Sequence, residues 1–147
     1  LLNFSQFQRS GSCVWTKLPH GFIKCNVDAA MNNITDIVRA GWMVRAEEGF
    51  FINAFQTTFP GAQDSNVAEA LSFHEALSWS KSNALHHVVF ELDSLVLVQA
   101  LKWKQPDALY FRSLDCRSLL NELLASSVVF VKRSVDIVAL ATFTYFV

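Results

Sequence analysis

Phe22-Ile23-Lys24-Cys25-Asn26-Val27-Asp28-Ala29-Ala30 decides how this chain is read. Ile23, Cys25 and Val27 recur with the two-residue period of a strand that buries one face, and the run closes on Asp28. Trp15 to Gly21, with Pro19 and Gly21, forms the turn that launches this strand at Phe22. Val38 to Arg45 alternates in the same way, with Ala40, Trp42 and Val44 on one face. Glu48-Gly49 then supplies a turn, and Phe50 to Thr57 makes a third strand. The three read as an antiparallel meander ending near Pro60-Gly61.

A different period follows. Asn66 is placed to cap a helix running to Ser82, with Ala70, Phe73 and Leu77 on one face. Leu85 to Leu92 is a nearly continuous apolar run, as expected of a strand covered on both sides. Ser94 caps a helix through Leu101, and Pro106 ends that region. Phe111 to Leu124 reads as a helix, Val128 to Val131 as a strand, and Asp136 as the cap of a last helix. A meander followed by right-handed crossovers predicts an α/β fold. The expected architecture is a five-stranded mixed sheet in spatial order 3-2-1-4-5, with helices on both faces. Residues 1–14, marked by Gly11-Ser12, read as a flexible lead-in, and 15–147 as one domain. There is no internal repeat and no low-complexity segment.

The 147 residues suffice for one real core. Apolar residues make up 52% and charged ones 17%, against about 25% charged in an average soluble domain. A net charge of −1 provides no long-range basic field, so a polyanion would need a local patch. Cys13, Cys25 and Cys116 show no CxxC spacing and are odd in number, which argues against a zinc or disulfide framework and for a reducing compartment. The chain opens Leu1-Leu2-Asn3-Phe4, without Met or a charged leader. It is therefore expected to be a piece of something longer, and nothing supports a signal peptide. Ile137 to Val147 falls short of the ~20 residues a membrane helix needs and reads as part of the core. The expected location is intracellular, nuclear or cytoplasmic, with no membrane partner.

Three acids stand out. Asp28 and Asp93 each close an apolar strand, and Glu69 lies in the first turn of the helix that starts near Asn66. A carboxylate at the end of a buried strand is costly unless something charged meets it. Two of these plus a helical one form a cage suited to a hard divalent cation such as Mg²⁺. Each also has a local explanation. Asp28 can start a turn before Asn32-Asn33, and Asp93 can form an Asx-type turn before Ser94. Glu69 is three residues after Asn66, the spacing of a capping box.

Five segments in order resemble the plant retroelement-type ribonuclease H domain, also called reverse transcriptase-like. Trp15-x-x-x-Pro19-x-Gly21-x-x-Lys24-Cys25-Asn26-Val27-Asp28-Ala29-Ala30 resembles its opening. Ala40-Gly41-Trp42-Met43-Val44-Arg45 with Glu48-Gly49 is similar to its second strand and hairpin, and Ala68-Glu69-Ala70 with Ala76-Leu77-x-Trp79 to its first helix. Glu91-x-Asp93-Ser94 and Arg133-x-x-Asp136-x-Val138-Ala139-x-Ala141 resemble its third-acid and closing motifs. Five segments together are far more specific than any one.

The resemblance implies Mg²⁺-dependent hydrolysis of the RNA strand of an RNA–DNA hybrid, with two ions about 4 Å apart and Mn²⁺ as a substitute. It makes Asp28, Glu69 and Asp93 both the catalytic residues and the metal ligands. Asp28 would bridge the two ions, Glu69 would hold the ion near the leaving group, and Asp93 would complete the cage. The closing motif departs from the pattern. Leu140 stands where active ribonucleases H carry a fourth acid, and Asp136 reads as a helix cap.

The nucleic-acid contacts expected beyond the acids are few. Lys102-Trp103-Lys104 is the one basic and aromatic cluster, placed about where larger ribonucleases H carry a basic, Trp-containing handle; its plainer reading is a Trp between solvated lysines. Asn26 and Asn33 are candidates for 2′-hydroxyl contacts. Glu91 shares strand parity with Asp93 and is expected to end up paired or near the sheet edge. His20, His74, His86 and His87 lack zinc spacing and read as structural or solvated. Three functions compete: an active hybrid ribonuclease, a degenerate domain that binds nucleic acid without cutting it, and an interaction or structural remnant of a retroelement.

Overall fold

A computed structural model of the chain describes residues 18–32, 34–60, 64–102 and 108–132, with side chains from 115 onward in the last stretch. The expected lead-in at 1–14, Asn33, Trp103, Lys104, Asp136, Leu140 and the closing helix lie outside the described residues.

Five strands form one mixed sheet. β1 (Ile23–Asn32), β2 (Ile37–Arg45) and β3 (Phe51–Pro60) are the meander, and β4 (Val88–Leu92) and β5 (Ser127–Phe130) follow the crossovers. The order across the sheet is β3-β2-β1-β4-β5, as the sequence predicts. β1 runs antiparallel to β2, from Lys24 opposite Arg45 to Asn32 opposite Ile37. On its other side it pairs in parallel with β4, from Ile23 opposite Val88 to Val27 opposite Leu92. β5 adds in parallel at the edge, with Phe90 opposite Val128.

Three described helices, α1 (Ser65–Ser82), α2 (Leu95–Lys102) and α3 (Ala108–Glu122), complete the layer above the sheet. Cys25, Val27, Trp42, Val44, Phe90 and Leu92 meet Phe73, Ala76 and Leu77 of α1 and Leu97 and Leu101 of α2 in one core. Phe73 and Phe90, both fully buried, touch edge to face at 5.4 Å between centroids. Trp42, Phe55 and Trp79 form a second aromatic contact between β2, β3 and α1, with Phe55 and Trp79 centroids 4.2 Å apart. Burial pushes the Cys25 thiol well above its ordinary range, and the nearby Glu91 carboxylate adds to that. Cys25 and Cys116 are both buried.

Several boundaries differ from the sequence reading for identifiable reasons. The cap of α1 is Asp64, whose carboxylate accepts from the Asn66 N–H at 2.8 Å, so the helix starts before Asn66. β4 begins at Val88 because Leu85 to His87 are used by the turn after α1. Leu85 N–H donates back to the Ser80 carbonyl, and Ala84 and His87 have φ of 52° and 58°, which no strand allows. Ser94 does cap α2, its Oγ accepting from the Leu97 N–H. α3 begins at Ala108 rather than Phe111. No helix among the described residues is long and apolar enough to cross a membrane.

Candidate metal centre

The parallel pairing of β1 and β4 ends at Val27 opposite Leu92. Asp28 and Asp93 are the next residue on each strand, so they stand side by side where the two strands part. This is the carboxyl end of the parallel pair, the usual position of a site in an open α/β sheet. Asp28 lies inside β1 rather than at its end, because β1 continues to Asn32 along β2. Its partner on β2 is Gly41, which presents no side chain beside the carboxylate. Asp28 is 2% exposed, and its Oδ1 accepts from the Ala29 N–H at 2.8 Å.

Glu69 comes from α1. With Asp64 as cap, Ser65 is the first helical residue and Glu69 the fifth, in the second turn rather than the first. A capping-box Glu must be the third helical residue, so the local explanation for Glu69 falls away. α1 packs on β1 and β2 through Phe73, Ala76 and Leu77, which delivers Glu69 to the place where β1 and β4 diverge.

Asp28, Glu69 and Asp93 each offer a carboxylate oxygen within 4.8 Å of the other two, Asp28 buried and the others half-buried. Around one octahedral Mg²⁺ with ligands at about 2.1 Å, oxygens lie between about 3.0 and 4.2 Å apart. Two ions about 4 Å apart spread their ligands further. The trio therefore has the donor type and spacing of a cage for one or two small hard cations. Three acids drawn together from β1, α1 and the end of β4 match the sequence expectation of convergence.

The other candidates separate. Asn26 is 5% exposed, and its Nδ2 donates to Glu91 Oε2 at 2.5 Å. Its amide thus takes part in a buried contact across the β1–β4 pair. Lys102 is exposed at the last residue of α2, whose final carbonyls at Ala100 and Leu101 accept from the Arg117 guanidinium. The histidines behave as structural or solvated groups. His20 Nδ1 meets Glu47 Oε1 at 2.9 Å at the surface, and His86 Nδ1 accepts from the Leu124 N–H.

One feature escaped the sequence reading. Lys24 is 5% exposed and holds Glu91 Oε1 at 2.7 Å, with Asn26 on the other carboxylate oxygen. Glu91 is thus paired, as expected, and lies on an interior strand between β1 and β5. The signal was there: Lys24, Asn26 and Asp28 alternate as polar residues in a strand whose other face is wholly apolar.

Solved structures that resemble this chain include ribonucleases H. RNase H1 from the halophilic archaeon Halobacterium salinarum NRC-1 superposes with a TM-score of 0.69 at 21% identity, over 78% of this chain and 88% of that one. The N-terminal RNase H domain of rv2228c from Mycobacterium tuberculosis, fused to maltose binding protein, gives 0.63 at 13%, over 76% and 83%. LC11-RNase H1, isolated from compost by a metagenomic approach and solved in complex with an RNA/DNA hybrid, gives 0.61 at 16%, over 76% and 86%. At these identities the likeness establishes the ribonuclease H-like fold. No curated protein matches the chain by sequence. The sequence profile of the reverse transcriptase-like family matches residues 26–143, from β1 beyond β5, and the chain belongs to that family.

Proposed function

We propose that this domain is a Mg²⁺-dependent endonuclease that hydrolyses the RNA strand of RNA–DNA hybrids. The observation that carries the reading is the convergence of Asp28, Glu69 and Asp93 to within 4.8 Å where the parallel pairing of β1 and β4 ends. Three carboxylates so close repel one another, and a divalent cation relieves that repulsion. The bound ions supply Lewis acidity toward the attacking water and the leaving 3′-oxygen. The rest falls to the protein. Asp28 is fixed by its strand and by the Ala29 N–H, and would hold the cation together with Glu69 and Asp93. Glu69 and Asp93 are half-buried and would present the more accessible carboxylates of the cage. The hybrid bound by LC11-RNase H1 supports the same substrate class here. A retroelement ancestry, and a nuclear or cytoplasmic location where hybrids arise, fit the motif resemblance.

A second reading rests on Leu140. Its carbon side chain stands where the family resemblance expects an acid, which favours a domain that binds nucleic acid and cuts it weakly or not at all. Cleavage of a labelled hybrid with and without Mg²⁺, by wild type and Asp28→Asn, tests the proposal. Asp28-dependent, Mg²⁺-dependent cutting of the RNA strand is the expected result. Salt-sensitive hybrid binding without cleavage would establish the second reading instead.

A further inference from the structure

Two residues before the two aspartates, on the same strands, lies a second buried polar group. Asn26 is directly opposite Glu91 in the β1–β4 register. Glu91 Oε1 takes the Lys24 ammonium at 2.7 Å and Oε2 takes the Asn26 amide at 2.5 Å. All three are nearly fully buried, at 5%, 5% and 8% exposure. Alternation puts them on the sheet face away from α1, while Cys25, Val27, Phe90 and Leu92 face the helices.

We infer that Lys24, Asn26 and Glu91 are the positioning residues of the metal cage, holding β1 and β4 in the one register that sets Asp28 beside Asp93. The inference rests on the metal-site reading above. The β1–β4 ladder is only five residue pairs long, Ile23 to Val27 against Val88 to Leu92. A slip of one residue would turn apolar side chains to the wrong face and is opposed by the core. A slip of two keeps every side chain on its own face, so the apolar pattern does not oppose it. The polar cluster does. A two-residue slip in one direction puts Glu91 opposite Asp28, carboxylate against carboxylate. In the other Lys24 stays against Glu91, but Glu91 loses the Asn26 amide, which then stands opposite Asp93, and the two aspartates separate. Fixing register with a buried polar group is the best-attested use of such groups. The cluster also settles the charge: Lys24 neutralises a fourth carboxylate two residues from the cage, about 7 Å along the strand, so that Glu91 does not compete for the ion.

The test is Mn²⁺ binding by the metal-free domain, followed by calorimetry and by the electron paramagnetic resonance spectrum of the bound ion, with the unfolding midpoint measured beside it. Lys24→Met/Glu91→Leu replaces the pair with apolar side chains and is expected to stay folded while Mn²⁺ affinity falls at least tenfold and the bound-ion spectrum broadens. Glu91→Gln keeps the shape and an acceptor for Asn26, and is expected to lose about threefold; it decides the matter should the double variant fail to fold. Lys81→Met/Glu122→Leu removes the exposed pair between the far end of α1 and α3 and is expected to leave Mn²⁺ binding unchanged. Wild-type affinity and spectrum in the folded Lys24 and Glu91 variants would overturn the positioning role and leave the metal site standing. A wild-type domain without Asp28-dependent Mn²⁺ binding would overturn both.

Discussion

Two polar clusters share strands β1 and β4 only two residues apart, and they are built on opposite principles. Lys24, Asn26 and Glu91 contain their own cation and satisfy both oxygens of the one carboxylate. Asp28, Glu69 and Asp93 gather three carboxylates and no ammonium among the three. The first uses charge to build the sheet, and losing a member should cost stability. On the proposed reading the second concentrates charge for a cation, and losing a member should cost function. Burial alone does not tell them apart, since Asp28 is as deeply buried as Lys24. What distinguishes them is composition: one set carries its own ammonium, the other is three carboxylates.

The sharpest break in that contrast is Asp28→Asn. We expect Mg²⁺-dependent hybrid cleavage to fall by more than about a thousandfold, or ~4 kcal/mol in the barrier. Metal-free stability should be equal or higher, because one of three mutually repelling charges is gone. Cleavage rates and urea unfolding in EDTA check both halves. A variant that unfolds in EDTA would mean that Asp28 belongs to the building cluster after all.

How far this contrast was legible in the sequence depends on how far each residue's neighbours lie along the chain. The strand order, the meander and the acidic trio were legible because alternation, turn residues and family motifs are local patterns. The position of Glu69 within α1 was misread because Asn66 and Asp64 are both good caps, and only the hydrogen bond from Asn66 N–H to Asp64 chooses between them. The start of β4 was misread because Leu85 resembles a strand residue until the turn from Ser80 claims it. The buried contact of Asn26 was not legible because its partner Glu91 is 65 residues away, and only the parallel register brings the two together.

The mirror experiment is Lys24→Met. It leaves Glu91 buried with Asn26 but without its cation, and breaking a buried pair from one side costs ~3–5 kcal/mol. We expect the lower end, about 3 kcal/mol, because the Asn26 donor remains. Lys24→Met/Glu91→Leu should recover most of that loss, since an apolar pair of similar volume is often as stable as the ion pair. Urea denaturation of the two variants measures the difference. A double variant no more stable than the single would place the loss in packing rather than charge.

A milder way to sharpen the contrast uses the ligand itself. If the acidic cluster binds Mg²⁺ in the folded state alone, free Mg²⁺ at a hundred times its Kd should stabilise the domain by about 2.7 kcal/mol. That gain should vanish in Asp28→Asn and persist in Lys81→Met/Glu122→Leu, whose exposed pair lies elsewhere. Thermal unfolding across a Mg²⁺ series reads it. A rise in Tm of the same size in Asp28→Asn would assign the effect to general ionic strength.

The smallest expected effect concerns Leu140, which the resemblance sets against a fourth acid. Leucine offers no oxygen, so on the proposed reading a cage of three carboxylates would hold its ions with one ligand fewer and would orient the attacking water less well. Leu140→Asp should therefore raise kcat on a hybrid by about tenfold, ~1.4 kcal/mol, and lower the Mg²⁺ concentration needed for half-maximal rate. The two changes belong together: a fourth ligand that tightened metal binding without raising kcat would be storing the ion rather than aligning it. An added acid also carries a cost if position 140 is apolar in its surroundings, so the unfolding midpoint must be read beside the rate. Equal or lower activity in a folded Leu140→Asp variant would show that three acids already define this site, and that position 140 does not limit it.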